Sequence, residues 1–369
     1  MIPIYQPYFN QKNLKYAHKA IDSGWVSSQG EYLDLAKNKL KEILGCKRLI
    51  LTNNGTTATH LLAIALKYKY PHINKIIVPN NVYVAAWNSF LFDKNYELIP
   101  IDSDLETWNF DTSKLKSLVD ENTAILVVHN IGNIVNVPKL KIEFPDTVIL
   151  EDNCEGFLGK YGDKYTGTES FASSISFFGN KTITSGEGGA FITNDDDVFE
   201  YINKVKSQGQ SNEKFIHDVL GYNYRMTNIQ AAILYGQLES LDEIKERKHK
   251  IFNRYKSIFE GVEGISFQKI DSETEHSEWM FGLRFNEFSL NQKKDLELYL
   301  FHVGIDTRPM FYEIKKHDYI SHIPNEDTNS VMLSEQCLIL PSYPQLTDSQ
   351  VDFIAGKIIN YLKDKNTIN

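Results

Sequence analysis

Cysteine is scarce in this 369-residue chain. Cys46, Cys154 and Cys337 are few, odd in number and far apart, so neither a disulfide framework nor a metal site is indicated. A reducing, cytoplasmic compartment suits them. Positive charge is also short. The formal net charge is −9 and the sequence pI about 5.6, which argues against nucleic acid as a partner, since a polyanion favours a basic face. No run of ~18 apolar residues occurs, so no membrane span is expected. The opening MIPIYQPYFNQ lacks the basic and apolar regions of a signal peptide. No internal repeat and no low-complexity linker interrupt the chain. What is plentiful is core material, at 42% hydrophobic residues. The length allows two domains, or one large domain with a smaller one attached.

The first half alternates helices and strands. Lys12 to Ser23 reads as a helix stopped at Gly24, and Glu31 to Leu44 as another stopped at Gly45. Between them Trp25 and Ser27 lie in a loop that either lines a cleft or anchors packing. Arg48–Thr52 reads as a short strand. Asn53-Asn54-Gly55-Thr56-Thr57 follows, and then Ala58, Leu61, Leu62, Ala65 and Leu66 mark one face of a helix. Such a turn either caps the helix or offers free N–H groups to a phosphate. Further strands are expected at Lys75–Pro79, Tyr96–Ile101, Thr123–His129 and Thr147–Asp152, and Asn80–Phe90 is expected to carry Tyr83 into a helix. Near-continuous apolar strands alternating with helices predict a mostly parallel sheet covered on both faces. Ligands of such sheets bind beyond the carboxyl ends of the strands. Asp152, His129 and the Asn53–Thr57 turn therefore share a candidate edge. Asp152 itself reads either as a helix cap or as the partner of a buried cation.

The second half is organised differently. Asn228 to about Tyr255 reads as one or two helices, and a boundary near residue 245 separates a large α/β domain (1–245) from a small C-terminal α+β domain (246–369). Strands are expected at Ile265–Gln268 and Trp279–Phe285, and a helix over Gln292–Val303. Thr347-Asp-Ser-Gln350 is a capping-box pattern, with Val351, Ile354, Ile358 and Leu362 on the apolar face of the last helix.

The densest chemistry lies in SSISFFGNKTITSGEGGAFITND, residues 173–195. One lysine, Lys181, stands between two strand-like runs and beside a Gly-rich turn. A solvated surface lysine is the ordinary reading. A buried one has its ammonium disfavoured, and the neutral amine can attack a carbonyl.

These motifs together resemble the DegT/DnrJ/EryC1/StrS family of sugar aminotransferases. The resemblance rests on TNNGTTATHLLAIAL, VPNNVYVAAWNS, VVHNIGN, LEDNCEGFLGKYGDK, the FFGNKTI–GEGG run, GYNYRMTNIQAA, GIDTRPMFY and LPSYPQLT, which keep the family order over nearly the whole chain. It implies fold type I of the pyridoxal-phosphate enzymes, the aspartate-aminotransferase architecture, and it implies roles by position. Lys181 is similar to the lysine that holds the cofactor covalently and moves the proton. Asp152 resembles the partner of the pyridinium nitrogen, Glu155 a polar residue near the ring hydroxyl, and Tyr83 the aromatic that stacks on the ring. Gly55, Thr56 and Ser176 match phosphate-binding positions. Asn223 matches a residue that reaches the neighbouring subunit's cofactor, which implies a homodimer with shared active sites. Trp25, Ser27, Arg308 and Phe311 are candidates for the substrate side, with Arg308 open between a diphosphate contact and a surface salt bridge. No metal is expected.

The resemblance also implies the reaction. An amino group passes from L-glutamate to a nucleotide-linked 4-keto-6-deoxyhexose, giving a viosamine- or perosamine-type amino sugar. In dehydratase relatives a histidine replaces the lysine, so lysine here favours transamination. The Asn153-Cys154 pair departs from the family's usual small pair. The competing readings are a 3-keto-sugar or cyclitol aminotransferase, a lyase or dehydratase, and a non-catalytic sugar-binding protein on the same scaffold.

Overall fold

A computed structural model describes residues 1–324 and 328–365. Strands run in chain order as β1 Arg48–Thr52, β2 Lys75–Pro79, β3 Glu97–Ile101, β4 Thr123–Val128, β5 Val148–Asp152, β6 Lys160–Tyr161, β7 Lys164–Tyr165, β8 Ala172–Ser176 and β9 Gly189–Thr193. They continue as β10 Ile265–Ser266, β11 Thr274–Glu275, β12 Phe281–Phe285, β13 Arg308–Pro309 and β14 Cys337–Leu340. The helices are α1 Gln11–Asp22, α2 Glu31–Leu44, α3 Gly55–Lys69, α4 Ala85–Leu91, α5 Val137–Glu143, α6 Asp196–Val205, α7 Asn228–Leu238, α8 Leu241–Phe259, α9 Leu290–His302, α10 Thr328–Gln336 and α11 Asp348–Asp364.

The central sheet has seven strands in the order β1-β9-β8-β5-β4-β2-β3. Pairings β2–β3, β2–β4, β4–β5 and β5–β8 are parallel, whereas β9 runs antiparallel to both β8 and β1. The expected mostly parallel sheet is therefore present, with one reversed strand. Every residue of β4, β8 and β9 is buried, because helices cover both faces and leave no polar side to alternate with. One face packs Ile50, Leu126 and Phe191 with Leu62 and Leu66 of α3. Part of the other packs Leu49, Ile175 and Ile192 with Ala36 and Leu40 of α2 and Leu234 of α7.

The C-terminal part builds its own core on a four-stranded antiparallel sheet, β10-β12-β14-β13. Phe252 and Tyr255 of α8, Leu296 of α9 and Ile354 and Ile358 of α11 pack against Phe281, Leu283 and Leu340. Residue 245 falls inside α8. The Thr347 capping box forms as read, with Gln350 accepting from the Thr347 N–H at 2.9 Å. A smaller cluster groups Ile4, Trp108, Trp279 and Met310 with Ile339 of β14. The first residues strap across the C-terminal part, the Ile2 N–H donating to the Gly304 carbonyl at 2.7 Å.

One local expectation is corrected. Residues 80–84 are not helical, and α4 begins only at Ala85. Asn80 and Asn81 are fully buried and work as connectors instead. The Ile314 N–H donates to the Asn80 carbonyl at 3.0 Å, and Ser103 Oγ donates to Asn81 Oδ1 at 2.6 Å. These partners lie far along the chain, so tertiary bonding here overrides the local helical tendency. Tyr83 therefore sits in a turn.

Candidate active site

The carboxyl ends of β1, β5 and β8 open onto a cleft of about 350 Å³. The β1 end enters α3 through the Asn53–Thr57 turn. Asn54 caps the helix, its Oδ1 accepting the Thr57 N–H at 2.9 Å. The turn is pinned from outside by Gln230 Nε2, which donates to the Asn53 carbonyl at 3.3 Å. Gly55 and Thr56 carry first-turn N–H groups of α3, which have no intrahelical acceptor, and both residues line the cleft. A Cβ on Gly55 would stand 2.6 Å from the Ser176 Cβ and 2.8 Å from its Oγ. Only glycine lets the helix start approach the β8 end so closely.

Asp152 closes β5 and is 6% exposed. Its Oδ1 accepts the Cys154 N–H at 3.1 Å, which leaves carboxylate lone pairs for a further donor. Glu155 is 4% exposed and accepts the Ile131 N–H at 2.8 Å. Burial pushes its carboxyl up to about 7, against the opposing pull of Lys181 and of that N–H. The Cys154 thiol is likewise pushed well above its ordinary value, mainly by burial.

Lys181 sits in the hairpin that joins β8 to β9. The hairpin is stitched by the Phe177 N–H to the Gly188 carbonyl at 2.8 Å and the Ser185 N–H to the Phe177 carbonyl at 2.9 Å. Lys181 is half-buried rather than enclosed. Its Nζ lies 3.9 Å from the centre of the Trp279 ring. Trp279 Nε1 donates to the Asn180 carbonyl at 2.9 Å, and the Tyr5 hydroxyl donates to the Lys181 carbonyl at 2.8 Å.

Of the residues singled out in the sequence, Gly55, Thr56, Tyr83, Asp152, Glu155, Ser176, Lys181, Arg308 and Phe311 line this one cleft. Three do not. Trp25 is 57% exposed and borders a separate depression beside Asn228. Ser27 is exposed, its carbonyl accepting the Asn228 N–H. Asn223 is exposed and bridges to Ser207 away from the cleft. His129, at the end of β4, turns inward instead: its Nε2 lies 3.0 Å from Glu151 Oε1 and its Nδ1 accepts the Val135 N–H at 3.1 Å. That pattern places the proton on Nε2 and makes the ring a strut beneath the site. Sequence reading missed Trp279 and Tyr5. Their only sequence signal is an aromatic near a strand start and near the N-terminus, because the contacts span 99 and 176 residues.

The sequence matches the DegT/DnrJ/EryC1/StrS aminotransferase family over residues 7–359. It is 34% identical to the GDP-perosamine synthase of Escherichia coli O157:H7, covering 99% of each chain. It is 33% identical to the GDP-perosamine synthase of Vibrio cholerae, covering 98% and 99%. Among solved structures it superposes with TM-score 0.90 on Helicobacter pylori PseC, an aminotransferase, at 22% identity over 98% of this chain and 99% of that one. A TM-score of 0.89 at 22% identity, over 97% and 99%, relates it to an E. coli GDP-4-keto-6-deoxy-D-mannose-3-dehydratase with bound hydrated pyridoxal phosphate. The chain belongs to the DegT/DnrJ/EryC1/StrS aminotransferase family.

Proposed function

We propose that this chain is a pyridoxal-phosphate-dependent sugar-nucleotide aminotransferase. It takes an amino group from L-glutamate and delivers it to C4 of a nucleotide-linked 4-keto-6-deoxyhexose. The product is a 4-amino-4,6-dideoxy sugar nucleotide of the perosamine or viosamine type. The observation that carries this reading is the meeting of Lys181, Asp152 and the Gly55–Ser176 cradle in one cleft. The GDP-perosamine synthases at 30–34% identity support the substrate class.

The residues present fit the cofactor. The Gly55–Thr56 N–H groups and the Ser176 hydroxyl suit a phosphate at a helix start. The Asp152 carboxylate, buried with lone pairs to spare, suits a protonated ring nitrogen. When bound, the cofactor supplies an electron sink that stabilises negative charge on the carbon losing its proton. Asp152, 6% exposed, would hold a protonated ring nitrogen, since a charge pair is stronger where little water screens it. Lys181 Nζ accepts the α-proton of the amino donor and, in the second half, returns one to the sugar carbon. The amino group and two reducing equivalents pass from glutamate to the ketone, whose oxygen leaves as water while water supplies the keto oxygen of 2-oxoglutarate, so the ketone leaves as the amine. Glu155, with its carboxyl near 7, can hold a proton at neutral pH and donate a hydrogen bond.

A second copy of the chain completes the site in this reading. Its support is the exposure of Asn223 and of two large apolar side chains in the same connecting segment between α6 and α7, Phe215 and Leu220, 78% and 86% exposed. A cytoplasmic location accords with a sugar-nucleotide substrate. Among the described residues no helix is long and apolar enough to cross a membrane.

The test is a two-step reaction. Glutamate is added to the cofactor-loaded protein, the excess is removed, and a nucleotide-linked 4-keto-6-deoxyhexose follows. Mass spectrometry then reads an amino-sugar nucleotide formed in one equivalent per site. Glutamate consumption without sugar amination would overturn the substrate; no consumption would overturn the enzyme.

A further inference from the structure

The peptide that carries Lys181 is gripped by two aromatic residues remote in sequence. Tyr5 holds the Lys181 carbonyl, and the Trp279 indole holds the Asn180 carbonyl. The Trp279 ring also forms a shelf for the Lys181 ammonium, 3.9 Å from Nζ to the ring centre. Both aromatics meet a third residue, Lys248 of α8. Its Nζ donates to the Trp279 carbonyl at 2.7 Å and to the Ser342 carbonyl at 2.8 Å. It also stands 5.6 Å from the Tyr5 ring centre.

Lys248 is 1% exposed, and its two bonds go to carbonyls rather than to a carboxylate. A charge so placed is costly, and burial brings its pKa down to about 7. A neutral amine still has two N–H groups, so both carbonyls stay satisfied whether or not the third proton is present. For space alone, a methionine or leucine would fill this position without the desolvation cost. What the lysine adds is a tie between two chain segments. Trp279 leads into β12 and Ser342 follows β14, so the tie fixes how far the indole reaches toward the β8–β9 hairpin. We propose that Lys248 is a positioning residue for Lys181, acting through Trp279. The proposal rests on Lys181 being the reacting amine.

The test uses the full chain, first without cofactor. Lys181 is labelled with limiting acetic anhydride at pH 8 and its rate read by peptide mass spectrometry. The Trp279 ring covers one side of the Lys181 amine, and losing one such cation–aromatic contact frees the amine for reagent about two- to five-fold. Lys248→Met therefore labels Lys181 about two- to five-fold faster than wild type, and Trp279→Leu does the same with Lys248 in place. Lys248→Arg, which keeps donors for the two carbonyls, restores the wild-type rate. In the loaded enzyme Lys248→Met lowers kcat and leaves the KM for the sugar nucleotide in place. If Lys248→Met does not fold, Lys248→Gln, which satisfies one carbonyl, takes its place with the same expected direction. A folded Lys248→Met or Lys248→Gln that labels Lys181 at the wild-type rate overturns the proposal. A wild-type chain that aminates no sugar overturns the function instead, and the labelling comparison still reads the role of Lys248.

Discussion

Tyr83 and Phe311 face each other across the mouth of the cleft, ring centroids 6.1 Å apart and planes inclined by 57°. One comes from the turn before α4, the other from the segment after β13. Tyr83 is 60% exposed, a large aromatic surface left beside a pocket. Tyr83→Ala is expected to weaken cofactor binding about ten-fold, the scale of one aromatic stacking contact. Phe311→Ala is expected to raise the KM for the sugar nucleotide and leave cofactor affinity unchanged. Fluorescence titration with pyridoxal phosphate and steady-state kinetics separate the two. Equal weakening of cofactor binding by both would refute this division of roles.

Asp152→Asn keeps the shape at the end of β5 and removes the charge. The side-chain amide oxygen can still accept the Cys154 N–H that Oδ1 accepts now. Folding should be retained while kcat falls by about 10²-fold or more, the scale for losing one charge-stabilising group in an active site. Stopped-flow measurement of the glutamate half-reaction, with thermal melting as control, checks it. A variant with near wild-type kcat would remove Asp152 from the mechanism.

Glu155 makes the cofactor-free protein sensitive to pH. Its carboxyl titrates near 7 when folded against an ordinary 4.5. The folded state therefore holds the proton more tightly. Stability is full below about pH 4.5, falls as pH rises toward 7 and is flat beyond. Glu155→Gln cannot ionise, so it should gain on wild type across that window by on the order of 3 kcal/mol. Urea unfolding of both proteins from pH 5 to 8.5 gives the difference. A gap that does not change with pH would show that Glu155 is not the titrating group.

The proposed sharing of sites between two copies predicts complementation. Lys181→Ala and Asn223→Ala should each be impaired as pure proteins. A mixed dimer regains one intact site, built from Lys181 of one chain and Asn223 of the other. Mixing the two after mild dissociation should restore activity that the Lys181→Ala parent lacks entirely. No recovery in verified mixed dimers would place Asn223 outside its partner's site.

Elements dominated by local pattern were legible in the sequence. Strand β1 and helix α2 fall on the expected bounds, because apolar spacing and a stop glycine decide them within about fifteen residues. The reversal of β9 was not legible. A fully buried strand shows the same apolar run in either direction, and only pairing with β1 and β8 sets its sense. Tyr83 was misplaced into a helix because buried asparagines outbid local helix propensity through tertiary bonds. The residues around Lys181 were found through a specific motif. Trp279, Tyr5 and Lys248 carry no motif, and their contribution is purely a matter of where distant segments meet.

The reversed strand has a consequence for how the site comes into being. The Gly55–Thr56 turn proposed to hold the phosphate follows β1, the Lys181 amine follows β8, and β9 is what joins them. The last rung of that join sets Thr52 against Gly189, where any Cβ would strike the Asn54 carbonyl oxygen at 2.4 Å. Pairing between strands some 140 residues apart is among the slower events of folding, because a long loop must close first. The helix-start turn after β1 and the amine after β8 therefore come together only once that long-range pairing has formed. In the proposed reading, capture of the cofactor by a newly made chain would double as an audit of its fold, since it needs that closed sheet edge.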